Sequence, residues 1–99
     1  VKELDVGPGH VVLSKAGRDK GKKFMILSVE KAGSYVYVAD GNLRRVENPK
    51  KKKLRHLDLT GEILEKLATK LKEGKPLQNS EIYKGIKMLD LDEKLFREE

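Results

Sequence analysis

Apolar residues along this chain are spaced in two different ways, and the change falls near residue 57. Before it they come in short bursts: Val11-Val12-Leu13, then Phe24 to Leu27, then Tyr35-Val36-Tyr37-Val38. Short runs rich in Val, Ile, Tyr and Phe, bounded by glycine and small polar residues, read as strands. The predicted strands are His10–Lys15, Lys22–Glu30, Tyr35–Ala39, Leu43–Glu47 and a short one at Leu54–Leu57. Ala32-Gly33-Ser34 and Asp40-Gly41-Asn42 are the predicted turns between them. Alternation in Tyr35-Val36-Tyr37-Val38 puts the valines on an inward face and the tyrosines on an outward one.

After Leu57 the period becomes helical. Ile63, Leu64, Leu67, Ala68 and Leu71 fall on one face, with Thr60 placed to cap the start, Gly74 to stop the helix and Pro76 to prevent its continuation. A second helix follows, capped by Asn79 or Ser80, with Ile82, Tyr83, Ile86 and Leu89 on one face. Gly85 weakens it by roughly 1 kcal/mol relative to Ala. The stretch from Asp90 to Glu99 forms a last turn carrying Leu95 and Phe96, or frays. Five short strands are too few for two full sheets and bury best as a small, strongly bent barrel. The predicted fold is therefore mainly β with C-terminal α: a basic barrel over residues 1–58 and a helical segment over 59–99 packed on it. The other reading of that segment is a docking hairpin for a protein partner, with Tyr83, Met88, Leu95 and Phe96 as anchors.

Composition narrows the function. The chain has 99 residues, 37% hydrophobic and 38% charged, enough for one domain with a modest core. It has no cysteine, which excludes disulfides and Cys-based metal sites. No apolar run approaches the roughly 20 residues that span a bilayer. The first residues lack the basic-then-apolar pattern of a signal peptide, and the absence of cysteine makes a reducing interior, hence the cytoplasm, the expected compartment. The net charge of +6 is unevenly divided. Residues 1–57 hold 14 Lys or Arg against 6 Asp or Glu, and residues 58–99 hold 8 against 10. A polyanion would sit on the front half, with the acidic tail away from it.

The cations cluster where the chain turns. Lys15, Arg18, Lys20, Lys22 and Lys23 surround Gly17 and Gly21, whose freedom to take positive φ allows a sharp hairpin tip. A second group comprises Arg44, Arg45, Lys50, Lys51, Lys52, Lys53 and Arg55. Four adjacent lysines cannot all be buried, so most are expected to face solvent or a ligand, entered through a loop at Pro49. Ammonium groups in a row suit a phosphate backbone. Nothing resembles a recognition helix for a DNA major groove, whereas folded RNA suits a compact basic barrel. Tyr35 or Tyr37 could stack a base, against the alternative of strand packing.

Catalysis is not indicated. His10 and His56 lack metal-ligand spacing, the serines lack a glycine elbow, and no phosphate loop occurs. Asp19, among cations, is expected to orient Arg18 or Lys20 or to close the turn. No cofactor, metal, membrane or small-molecule substrate is expected.

The spacing of Gly9, Gly17 and Lys20-Gly21 between apolar strands resembles the KOW motif of ribosomal proteins and transcription elongation factors. The likeness continues through Tyr35 to Ala39, Asp40-Gly41, Arg44-Arg45-Val46, the lysines and Leu57-Asp58-Leu59-Thr60, and covers Gly9 to about Leu64. Over that span the chain is similar to the archaeal and eukaryotic large-subunit ribosomal proteins of the L-fourteen-e type and their short bacterial relatives. One departure is Phe24, where many KOW motifs carry a further glycine. The resemblance implies an SH3-like barrel and a ribosomal or ribosome-associated protein that grips ribosomal RNA. Ribosomal proteins are further candidate partners. The alternative within the same resemblance is a protein-interaction KOW module of a transcription or RNA-processing factor.

Overall fold

Strand β2, Lys23–Val29, is buried on both faces, and the rest of the chain is arranged around it. The computed structural model describes residues 6–97, and in residues 92–97 the backbone alone. The other strands are β1 (His10–Ser14), β3 (Tyr35–Ala39), β4 (Lys50–Lys53) and β5 (Leu57–Ile63), followed by helices α1 (Glu65–Lys72) and α2 (Asn79–Arg97). The strands form one antiparallel sheet in the order β4-β3-β2-β1-β5. A 3-10 turn at Leu54–His56 joins β4 to β5, and the five-stranded sheet forms a small barrel-like domain.

Side chains alternate across β2, so the sheet serves two cores. Phe24 and Ile26 point into the barrel with Val12, Val36, Val38 and Leu57. Met25 points the other way, where with Ala39 it is covered by Leu67 of α1 and by Ile82 and Ile86 of α2. The inward valines and outward tyrosines of β3 are as the alternation predicts.

Several boundaries differ from those read in the sequence. Leu43–Glu47 is a loop, not a strand, because its backbone is satisfied by side chains. Asp40 Oδ1 accepts the Asn42 and Arg44 amides, each at 2.9 Å, and Asn79 Oδ1 accepts the Val46 amide at 2.8 Å. Asn79 is thereby used on the loop instead of as a helix cap. At the start of α2 the Glu81 carboxylate instead accepts the Gln78 amide at 3.0 Å. The lysine run is itself a strand, β4, which takes the place of the one expected at Leu43–Glu47. Leu54–Leu57 is mostly the 3-10 turn, and β5 begins at Leu57 and runs on to Ile63. Residues 59–63, assigned to the helical segment, thus belong to the sheet. Thr60 caps nothing and donates its hydroxyl to the Val11 carbonyl at 2.9 Å. Gly74, at φ +72°, does end α1, and α2 continues through Asp90 to Arg97 without a break.

The helices are built into the domain. Gly41 has φ +79°, and a Cβ there would collide with the Asn79 carbonyl and lie 2.8 Å from the Tyr83 nitrogen. The backbone of α2 therefore packs directly on the turn after β3. Leu64, just before α1, donates its amide to the Gly9 carbonyl at 2.9 Å.

Removing the cover over β2 should cost accordingly. Ile82→Ala is expected to lower the unfolding free energy by about 2–5 kcal/mol. Met88→Ala, at a position 57% exposed, should change it by less than about 0.5 kcal/mol. Chemical denaturation of the two variants checks this, and equal small losses would show that α2 does not seal the sheet.

Candidate functional site

The tip between β1 and β2 is a short 3-10 turn, Gly17–Asp19, closed by backbone hydrogen bonds. The Gly21 amide donates to Ser14 O at 2.7 Å, and the Lys22 amide to Asp19 O at 2.9 Å. Gly21 holds φ +87°, a region that costs an ordinary residue roughly 1–2 kcal/mol. Arg18, Lys20 and Lys22 are exposed on this turn and make no ion pair among the described residues.

Asp19 points the other way. Its Oδ2 lies 3.3 Å from both Lys50 Nζ and Lys52 Nζ, tying the tip across to β4. Its role is thus not to orient Arg18 or Lys20. Burial of the Asp19 carboxylate opposes its ionisation, but hydrogen bonds from Lys50 and Lys52, with their charges, outweigh this and hold its pKa below the usual 3.8.

Across β4 the four lysines split by face. Lys50 and Lys52 lie opposite Val38 and Val36, on the barrel's inner side, and Lys51 and Lys53 lie opposite Tyr37 and Tyr35. The Lys52 side chain is only 10% exposed. It donates to Ser14 Oγ at 3.2 Å and sits 5.7 Å from the Phe24 ring centroid, plugging the end of the barrel core. Lys51 is exposed but engaged, 2.8 Å from Glu30 and 4.6 Å from the Tyr35 ring centroid. The Glu30 carboxylate, through its hydrogen bond, raises the Lys51 pKa above its ordinary value. The expectation that most of this run faces solvent or a ligand is therefore corrected for Lys52, while Lys50, with a side chain 37% exposed, faces solvent and pairs with Asp19.

Other predicted cations are distributed as follows. Lys15 pairs with Asp58 at 3.1 Å, both exposed. Lys23, largely covered, pairs with Asp90 of α2 at 2.9 Å. Arg44 is half-buried, where its carbonyl accepts the Asp40 and Gly41 amides. Arg45 and Arg55 are exposed, and Lys53 is half-buried.

Two clefts flank these groups. A cleft of about 320 Å³ lies between the tip, the loop after β3 and α2, and is lined by Lys22, Lys23, Leu43, Tyr83, Lys87 and Asp90 among others. The acidic tail is thus not remote from the basic tip, contrary to the charge argument. Lys87, 5.4 Å from the Tyr83 ring centroid, is a site cation that sequence reasoning missed. Its signal was available: Tyr83 and Lys87 are spaced by four residues on one helix. The second cleft, about 360 Å³, is lined by Ser34, Tyr35, Lys53, Leu54 and Arg55. The two tyrosines are thereby distinguished: Tyr37 donates its hydroxyl to Glu30 at 3.4 Å, whereas Tyr35 lines the cleft.

Of the docking anchors considered, Tyr83 and Met88 are exposed, and the side chains of Leu95 and Phe96 lie outside the described residues. His10 and His56 are half-buried, and no cluster of three His, Cys, Asp or Glu suited to a metal occurs among the described residues. No helix among them is long and apolar enough to cross a membrane. Comparison of the sequence with family models and with curated proteins finds no match to either.

The tie between Asp19 and its lysines sets a pH dependence. A carboxylate whose folded pKa is depressed contributes stability above its unfolded pKa, and that stability is lost as pH falls through the folded value. Asp19→Asn should be less stable than the parent at neutral pH, with the gap closing below pH 3.8. Urea unfolding across the acid range measures it. A gap that does not vary with pH would mean the pairing contributes nothing.

Proposed function

We propose that this protein binds folded RNA, ribosomal RNA above all, through the basic end of its barrel, as a ribosomal or ribosome-associated factor acting in the cytoplasm. The observation that carries the reading is the contrast between two sets of cations. Lys50 and Lys52 are engaged in holding the tip, while Arg18, Lys20 and Lys22 stand exposed on it and make no ion pair among the described residues. A stiff turn that presents unneutralised cations keeps its ordering cost low when phosphates arrive. The KOW-like residues from Gly9 onward and the SH3-like strand order support the same reading. Binding by shape and backbone charge needs no turnover, and no enzymatic role is proposed.

A protein-interaction role is the second reading. It is favoured by Leu43, 73% exposed, beside Tyr83 in the cleft against α2. Salt separates the two, because apolar docking depends on ionic strength far less than phosphate contacts do.

For RNA, log affinity should fall linearly with log salt, by roughly 0.7–0.9 for each phosphate contact. The triple variant Arg18→Gln, Lys20→Gln, Lys22→Gln should flatten that slope by about 2 with an unchanged melting temperature, since none of the three makes an ion pair among the described residues. Filter binding of ribosomal RNA fragments over a salt series tests this. An unchanged slope and affinity would remove the tip from the binding surface.

A further inference from the structure

The cleft beside Tyr35 lies away from the tip and has a different chemistry. Tyr35 opens β3 directly opposite Lys53, at the end of the pair formed with the edge strand β4. The Leu54 amide donates to the Ser34 carbonyl at 2.9 Å, so the ladder continues past the last strand pair and fixes the walls. Lys51 lies 4.6 Å from the Tyr35 ring centroid and is itself held by Glu30 at 2.8 Å, which fixes the ring. Tyr35 lines a cleft of about 360 Å³ with Ser34, Leu54, Lys53 and Arg55.

Such a site combines a preordered aromatic face, an apolar wall from Leu54, a hydroxyl at Ser34 and two cations. Neither Lys53 nor Arg55 makes an ion pair among the described residues. The parts match a single nucleotide: a base stacks on the tyrosine, and a flanking phosphate meets Arg55 or Lys53. Stacking on the ring requires a base with a free face, as in a loop or bulge.

We infer that the Tyr35 cleft receives one unpaired base of the bound RNA, with Arg55 and Lys53 on the adjoining phosphate. The inference rests on the RNA-binding reading and adds to it a preference for loops or bulges over continuous duplex. The base and phosphate chemistry would also suit a free nucleotide, and the test separates the two sources.

The full chain is titrated with an RNA hairpin carrying 2-aminopurine at an unpaired loop position, with a blunt RNA duplex of equal length, and with adenosine monophosphate. The hairpin should bind about tenfold more tightly than the duplex, toward the low end of what one base–aromatic stack contributes, with a change in 2-aminopurine fluorescence. Tyr35→Leu should erase both the preference and the fluorescence change while leaving duplex affinity and its salt slope intact. Tyr35→Phe should retain both. Arg55→Gln should weaken hairpin binding without abolishing the fluorescence change. Equal binding of hairpin and duplex by the parent, or a preference that survives Tyr35→Leu, overturns the cleft assignment and leaves the RNA reading standing. Displacement of the hairpin by adenosine monophosphate at comparable concentration assigns the cleft to free nucleotides and overturns the RNA source. Failure to bind either RNA overturns both readings.

Discussion

Burial of β2 on both faces is the constraint on which the rest of the molecule depends. A barrel of short strands has a small interior, here filled by Phe24, Ile26 and a few aliphatic side chains. Met25 and Ala39 on the outer surface would be exposed if the chain stopped at β5, and Leu67, Ile82 and Ile86 cover them. Each large side chain fully covered contributes roughly 1.5–3 kcal/mol, a substantial share of the net stability of a domain this small. The helices are therefore structural, and their docking forces α2 against the loop after β3. That contact places Tyr83 and Lys87 beside the basic tip.

A second device sorts the positive charge. A run of lysines on an edge strand discourages pairing with another chain, yet here alternation sends half of it inward. Lys50 and Lys52 meet Asp19, and the β1–β2 tip is drawn onto β4. Among the described residues Arg18, Lys20 and Lys22 at the tip, and Lys53 and Arg55 beside Tyr35, make no ion pair. A polyanion following these groups would meet a rigid surface, with cations at the tip and an aromatic ring further along β3 and β4.

The elements legible in the sequence were those with a strong period. Alternation fixed the inward valines of β3, the Gly17–Gly21 spacing announced the first hairpin, and Gly74 announced the end of α1. Misreadings arose where tertiary contacts overrode local preference. Leu43–Glu47 has strand composition, but Asp40 and Asn79 satisfy its amides as a loop, and no local signal shows that Asn79, more than thirty residues away, will do so. Lysine has low strand propensity, so β4 was hidden in what reads as a solvated run. Ile63 fits the helical stripe of α1 as well as it fits the end of β5, and its register against His10 decides the matter. Apart from Lys87 the candidate cations were visible, but which are paired was not, because pairing joins residues 19 and 52 across the sheet.

The claim that this end of the barrel is an RNA surface is tested most directly by ultraviolet crosslinking in cells, with the attached peptides mapped by mass spectrometry. The account predicts crosslinks within the Arg18–Lys22 tip and at Tyr35, joined to ribosomal RNA sequences. Crosslinks confined to the exposed α2 positions Met88 and Leu91, or a protein recovered with no RNA attached, would contradict it.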